Sequence, residues 1–501
     1  MPPYAQISQD DRDPGPVRRS LFRIYWLTAI VCCGGILFGY DSGVIGGVLT
    51  FDSFLRDFNA TPDLQTRVSA IAVGIQQAGA LAGCLAIWPV TNRYGRRRAM
   101  MSCSVIFCLG VIFEVINSHS LPIFYLGRVI CGLGIGGSAT VIPIYLSEMS
   151  PKDIRARLGS CYQFTFTIGI LVSYWVDYGI QFRAPTAAQW QIPLALQLIP
   201  GALMGIGMLT LDESVRWLLV HGESARAWRS LVWVRSSSDA SVAAEFAHIK
   251  QGIEADQRVT ADFHLRELLA WPNARRLLLG IGLFTAQQST GATAMAYFGP
   301  QFFALLVGDN HSLTLLLTGI FGALKVLSCL AFIIWVAERF GRRPLLILGA
   351  VAMSLCMVTT VFVVKASHTP TPTVTATTIP ASSILTIALI YTSIAFYNLS
   401  WGPLPWPCAT ELFSTRIREP GVAVGVAAQW LTNFIWSSST PYVLQGLGWA
   451  TFLLFGLLDL SIAGFVGLCL PETAGKSLED IDVLFDAASD KDDEESELII
   501  L

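Results

Sequence analysis

The 501-residue sequence predicts an all-α membrane protein of twelve transmembrane helices, arranged as two six-helix pseudo-symmetric halves with cytoplasmic linker helices. Three observations carry that prediction. The chain is 53% hydrophobic and only 14% charged, with a mean hydropathy of +0.55, whereas soluble chains carry about 25% charged residues. Twelve apolar runs can be placed, each close to the length of about 20 residues that crosses a bilayer. A basic turn after the second run returns, 246 residues later, after the eighth. So low a charge content excludes soluble enzymes and disordered chains. The net charge of −3 offers none of the basic field that a nucleic-acid backbone demands.

Residues 1–24 form an N-terminal segment with Asp10, Asp11, Arg12 and Asp13. It lacks the charged, apolar and small-residue regions of a cleavable signal, so the first apolar run is expected to direct insertion. The first six runs lie near 25–48, 66–90, 99–116, 122–147, 159–181 and 191–210, giving an N-terminal half over 25–210. A polar insert at 211–275 mixes Glu223, Arg226, Arg229, Glu245, Lys250, Glu254 and Asp256 with aliphatic residues, the pattern of short amphipathic helices. The other six runs lie near 277–302, 313–336, 345–364, 383–408, 421–443 and 449–470, giving a C-terminal half over 276–470. The Thr- and Pro-rich stretch 369–380 reads as an extended loop. Residues 471–501 end in an acidic tail with Asp490, Asp492, Asp493, Glu494, Glu495 and Glu497, a composition that favours disorder.

Orientation follows from the basic residues. Short loops on the side of the N-terminus carry twelve Lys and Arg, among them Arg93, Arg96, Lys152, Arg339 and Arg418, against Arg56, Arg67, Arg183 and Lys365 on the other side. Basic loops stay inside, so both termini are expected in the cytoplasm. The sequons beginning at Asn59 and Asn310 then fall outside. All eleven cysteines lie in apolar runs and read as small buried hydrophobes, not a disulfide framework.

The repeated turn is Asn92-Arg93-Tyr94-Gly95-Arg96-Arg97 and Glu338-Arg339-Phe340-Gly341-Arg342-Arg343. A looser repeat follows the fourth and tenth runs, where Glu148 precedes Arg155 and Arg157, and Glu411 precedes Arg416 and Arg418. Matching turns in matching places imply two homologous halves with a substrate site near the midplane between them. Gly43 and Gly47, and Gly132 and Gly136, have the spacing that permits close helix crossing. Asp41, Arg128, Lys325 and Asp459 fall inside apolar runs, where a charge needs a partner or a watery path. No nucleophile–base set, metal-ligand cluster or phosphate loop occurs, so no enzyme is expected.

Seven motifs in order complete the reading: Gly39-Tyr40-Asp41; the two Gly-Arg-Arg turns; Gly127-Arg128 with Pro143-Ile144-Tyr145-Leu146-Ser147-Glu148; Glu213-Ser214 with Arg216-Trp217-Leu218; Gln287-Gln288-Ser289-Thr290-Gly291; Trp401-Gly402-Pro403-Leu404-Pro405-Trp406; and Pro471-Glu472-Thr473. Over about residues 25–485 the chain resembles the sugar porters of the major facilitator superfamily, the fungal members most of all. The resemblance implies a plasma-membrane monosaccharide (hexose or pentose):proton symporter. It would work by alternating access as a monomer, driven by the proton gradient without a bound cofactor. Asp41 resembles the family's protonation site and Arg128 the arginine that tunes it; the plainer reading is a permanent ion pair. Gln163, Gln287, Gln288, Trp406, Gln429 and Trp430 match substrate-contacting positions, amides for hydroxyls and rings for the C–H face of a sugar. The plainer reading has the glutamines tying helices and the tryptophans filling the core. Arg93, Arg97, Glu148, Arg155, Glu411 and Arg416 resemble the network that closes the cytoplasmic gate.

The chain also departs from the family pattern. Thr293 stands in the substrate region where Asn is usual, and Tyr297-Phe298 keeps one hydroxyl of a tyrosine pair. Asn92 replaces Asp, and Asp212-Glu213-Ser214-Val215 replaces Pro-Glu-Ser-Pro. Thr293 and Lys325 keep open a carrier of a sugar acid, quinate or polyol. A cavity-facing Lys325 would hold a substrate carboxylate; otherwise it runs along a wet crevice or pairs with a helix acid. A non-transporting sugar receptor is a third reading, against which stands the short stretch, 471–501, that follows the last run.

Overall fold

The computed structural model describes residues 14–473, except 117–118, 152–153, 261–263, 309, 338, 367–379 and 415. The acidic tail and most of the Thr- and Pro-rich stretch, together with Lys152, therefore lie outside the described residues. Among the described residues every regular element is helical. Lipid offers no hydrogen bonds to the backbone, so a spanning segment must satisfy its own N–H and C=O groups, and a helix does so.

The first half comprises α1 (Pro14–Val48), the short α2 (Asp52–Asp57), α3 (Pro62–Tyr94), α4 (Arg96–Val115), α5 (Leu121–Met149), α6 (Arg155–Ile180) and the pair α7 (Ala188–Ala195) and α8 (Leu198–Gly207). Then come α9 (Val215–Val220), α10 (Ser224–Arg235) and α11 (Ala240–Thr260), which pack on the face that carries the arginine turns. The second half comprises α12 (Trp271–Ser289) with α13 (Ala292–Val307), α14 (His311–Ala331, prolonged by a π-helical turn to Val336), α15 (Arg342–Ala366), α16 (Ala381–Leu399) with α17 (Pro405–Leu412), α18 (Arg418–Leu447) and α19 (Ala450–Cys469). Twelve spans result when the three pairs are each taken as one.

Those three pairs differ from the continuous helices expected from the sequence, and prolines explain much of the interruption. A proline has no N–H for the carbonyl four residues earlier. Pro405 thus frees the carbonyl of Trp401, which accepts from Gln287 Nε2 at 3.0 Å. Pro300 inside α13 frees the carbonyl of Ala296, which accepts from the Tyr174 hydroxyl at 2.6 Å. The break before α17 and the kink inside α13 are thereby turned into ties, the first between helices of one half and the second between the halves, whereas the α12–α13 break falls at Gly291, with φ +78.

By length and composition, nine of the spans are apolar enough to cross a membrane. The three that fall short are α6, the α12–α13 pair and α18. They carry Gln163, Gln287, Gln288 and Gln429, so the least apolar spans are the ones that hold the candidate substrate amides. The outer belt is the reverse, with Leu85, Trp88, Leu355, Phe362 and Leu460 exposed, as a lipid-facing surface requires. Close crossing of α3 and α5 depends on Gly132 and Gly136, where a Cβ would overlap the carbonyl oxygens of Gln76 and Ala80. All eleven cysteines are free thiols.

Interactions between the halves gather at mid-depth and toward the face away from the arginine turns. There Gln77 Nε2 donates to the Tyr297 hydroxyl at 3.0 Å, and Asn433 Nδ2 lies 3.2 Å from Gln77 Oε1 and 3.3 Å from that hydroxyl. Gly46 packs on the carbonyl of Tyr297, Gly74 on Ser438, and Phe51 edge-on to His311 at 5.7 Å.

Candidate functional site

The first part of the site is an ion cluster sealed inside the N-terminal half. Arg128 on α5 is 0% exposed and Asp41 on α1 is 1% exposed, and Arg128 Nη1 donates to Asp41 Oδ1 at 2.8 Å. Gln76 on α3 donates to Asp41 and accepts from Arg128, while Arg128 Nε donates to the carbonyl of Ala72 at 3.0 Å. Glu114 on α4, also 0% exposed, places Oε1 at 3.5 Å from the same Nη1. Two carboxylates thus face one guanidinium in a water-poor site. With both ionised the cluster carries a net negative charge, which burial opposes. One proton on either acid makes it neutral, so the cluster is chemically able to hold and release a proton.

The second part lies at mid-depth between the halves. Phe38 on α1 packs, with tilted rings, against Phe166 of α6 at 4.7 Å and Trp430 of α18 at 5.5 Å, and Gln163 sits one turn before Phe166. Across from them, Gln287 Nε2 donates to the carbonyls of Trp401 and Gly402 at 3.0 and 3.1 Å, and its Oε1 accepts from Gln429 at 2.7 Å. Gln287 is therefore occupied with holding α12, α18 and the break before α17 together. Thr293 donates to Gln288 Oε1 at 2.9 Å, and Trp406 packs edge-on to Phe284 at 5.2 Å. Gln163, Thr293, Trp406 and Gln429 are half-buried, Gln288 and Trp430 buried. Tyr297, one turn after Thr293 on α13, is held in the clasp with Gln77 and Asn433. Lys325 on α14 is 3% exposed, with Nζ 6.0 Å from the Phe166 ring and 5.9 Å from the Phe321 ring.

The third part is a pair of matching anchors at the arginine turns. Gly95 has φ +95, in the region where glycine is favoured, and a Cβ there would overlap the Glu213 carboxylate. That carboxylate accepts from the backbone N–H groups of Arg96 at 2.8 Å and Arg97 at 3.0 Å. It sits at the N-terminus of α4, where orphan N–H groups and the helix dipole favour an anion. Burial pushes the Glu213 carboxyl above its usual range, and these donors pull the other way. Arg96 pairs with Glu148 at 2.9 Å, while Arg97 caps the end of the sixth span by donating to the carbonyls of Met208 and Leu209 at 2.9 and 3.0 Å. The second half repeats each contact. Glu472 accepts from the backbone of Arg342 and Arg343 at 3.1 Å, Arg342 pairs with Glu411 at 2.6 Å, and Arg343 donates to the carbonyls of Val466 and Gly467.

Of the expected gate residues, Glu148 and Glu411 therefore join Arg96 and Arg342, and Arg97 holds a helix terminus. Arg416 pairs with Glu267 at 2.7 Å, and Arg93 is exposed with its guanidinium over the Tyr94 ring at 5.5 Å. The side chain of Arg155 lies outside the described residues. Sequence reasoning passed over Gln76, Glu114 and Asp177. Asp177 on α6 is 1% exposed, and neither its carboxylate nor that of Asp459 on α19 has a hydrogen-bond partner among the described residues. The signal for both missed acids was a lone carboxyl in an apolar run. Among the described residues no group of three or more His, Cys, Asp or Glu side chains could hold a metal ion.

The family model described as "Sugar (and other) transporter" matches residues 27–485. The quinate permease of Emericella nidulans is 34% identical over 486 residues, covering 95% of this chain and 91% of that protein. A probable quinate permease of Aspergillus niger is 34% identical over 494 residues, covering 96% and 91%. Among solved structures, the partially occluded inward-open form of the xylose transporter XylE from E. coli superposes with a TM-score of 0.76 at 24% identity, covering 91% of this chain and 100% of that one. Its inward-open form gives 0.75 at 25% identity, covering 92% and 99%. These relatives are transporters rather than enzymes, and the chain belongs to the sugar transporter family of the major facilitator superfamily.

Proposed function

We propose that this protein is a proton-coupled carrier of a small polyhydroxylated ring, a monosaccharide in the first reading, working by alternating access as a monomer in the plasma membrane. The arginine turns face the cytoplasm, in line with the excess of Lys and Arg on that side and the positive-inside rule. The state described here is read as inward-facing, supported by the clasp of Gln77, Tyr297 and Asn433 on the opposite side.

The single observation that carries proton coupling is the buried cluster of Asp41, Arg128 and Glu114. Protonation of Asp41 weakens its hold on Arg128, and Glu114 stands ready to take the guanidinium. The arginine then never lies bare in lipid, and a helix on one side of the cluster is released while another is held. Gln163, Gln288, Thr293 and Gln429 supply amide and hydroxyl groups for substrate hydroxyls, with Trp406 and Trp430 as apolar walls. Arg96 with Glu148, and Arg342 with Glu411, hold the cytoplasmic end of each half as a rigid unit that rocks.

A second reading, a carrier of a sugar acid such as quinate, is favoured by the buried Lys325 and by relatives named quinate permeases. Uptake of labelled glucose, xylose and quinate in transporter-deficient yeast, with and without a protonophore, tests both. Accumulation that collapses with the protonophore supports symport, and the favoured label names the substrate. Uptake that only equilibrates and ignores the protonophore removes the proton from the account.

A further inference from the structure

We infer that Lys325 is a carboxylate-binding residue of the substrate site, selecting a monoanionic polyhydroxylated ring over its neutral counterpart. The inference rests on the proposed carrier function and names the substrate class of that same site.

Lys325 lies on the α14 face that packs against α6, where Gly322 meets Leu171 and Tyr174. Its ammonium is thus on the seam between the halves at mid-depth. Nζ approaches the Phe166 ring at 6.0 Å. Phe166 in turn packs against Phe38, and Phe38 against Trp430, in tilted ring contacts, with Gln163 one turn away on α6. Lys325 therefore belongs to the aromatic cluster that walls the candidate substrate layer.

Among the described residues no carboxylate pairs with Lys325, and its close neighbours are the rings of Phe166 and Phe321 and the thiol of Cys329. The membrane-buried acids are engaged or remote: Asp41 and Glu114 face Arg128, Asp177 lies three helical turns beyond Phe166 on α6, and Asp459 is on α19. Both ring distances sit at the outer limit for a cation–π contact, which replaces little of the hydration that an ammonium gives up. A buried ammonium of this kind needs an anion or water. A substrate carboxylate meets that need while hydroxyls on the same ring reach Gln163, and transport of an anion with one proton then moves no net charge.

The test uses matched pairs that differ in charge alone or nearly so, namely quinate with its methyl ester and galacturonate with galactose. Uptake of each is measured in the yeast strain for the full-length wild type, Lys325→Gln and Lys325→Arg, with surface protein quantified. Binding to the purified full-length protein is followed by thermal shift. The expected result is that wild type prefers at least one carboxylate over its neutral partner. Lys325→Gln should raise the KM for that carboxylate about 10- to 100-fold, as loss of a charged hydrogen bond does, leave the neutral partner within about twofold, and be largely rescued by Lys325→Arg. Equal losses for both members of a pair mean a packing role and overturn the inference, as does a wild type that prefers the neutral members. In either of those cases the carrier function still stands. A wild type that reaches the surface yet neither transports nor binds any of the four overturns the inference, and the carrier reading falls with it only when glucose and xylose are not transported either.

Discussion

Replacing Asp41 by Asn is predicted to be mild by itself and severe only when Glu114 is also changed. Removing one partner of a buried ion pair costs about 3–5 kcal/mol when the other charge is left bare. Arg128 is not left bare here, because Glu114 Oε1 is 3.5 Å from the Nη1 that Asp41 holds at 2.8 Å. Asp41→Asn then exchanges a charged hydrogen bond for a neutral one, a loss of about 1–2 kcal/mol. Glu114→Gln gives up the longer contact and leaves the shorter, about 1 kcal/mol or less. The double variant buries a guanidinium with no counter-charge and should lose the full 3–5 kcal/mol or so. The cycle therefore predicts a coupling of about 1–3 kcal/mol. Thermal unfolding of the four purified proteins in one detergent reads it directly. Losses that add to within about 0.5 kcal/mol would show that the two acids do not share Arg128, and the two-acid proton switch would be refuted.

Three further outcomes follow from other parts of the molecule. Gly95→Ala forces a side chain into a positive-φ position and against the Glu213 carboxylate; it should cost about 1–3 kcal/mol and reduce folded protein at the surface, measured by fluorescence-detected size exclusion. Tyr297→Phe removes the hydroxyl shared by Gln77 and Asn433; it should loosen that clasp by about 1 kcal/mol and, with the clasp on the outside as proposed, quicken labelling of Ser438→Cys by a membrane-impermeant maleimide several-fold. The Arg416 guanidinium holds the Glu267 carboxyl down at about 2, below its ordinary value of about 4.3. A depressed carboxyl contributes stability that is present above about 4.3 and lost as pH falls through about 2. The melting difference between wild type and Glu267→Gln should therefore stay flat from about pH 8 to about pH 5, and a difference that disappears over that range contradicts the assignment.

Much of the architecture was legible in the sequence because lipid imposes a simple rule, about 20 apolar residues per span, and because the arginine turns repeat. At the turns themselves, Arg96 meets Glu148 while the backbone of both Arg96 and Arg97 donates to Glu213, a partner that only the packing reveals. What stayed hidden depends on packing between helices. Glu114 is visible as an acid in an apolar run, but its role appears only when α4 and α5 turn back on each other and bring it to Arg128. Gln287 reads as a sugar contact by its motif, yet the carbonyl that engages it is set free by Pro405 on a different span. Lys325 was legible as a costly charge, and its place beside the aromatic cluster came only from the packing of Phe166 against Phe38.

Proton movement linked to substrate is the most direct test of the central claim. In proteoliposomes containing the purified wild type and no imposed gradient, addition of the transported substrate outside should alkalinise the medium. Asp41→Asn should abolish that signal while still exchanging labelled for unlabelled substrate, because the substrate layer does not include Asp41. Substrate entry by the wild type with no proton signal, or an Asp41→Asn signal equal to that of wild type, would contradict proton coupling through the Asp41, Arg128 and Glu114 cluster.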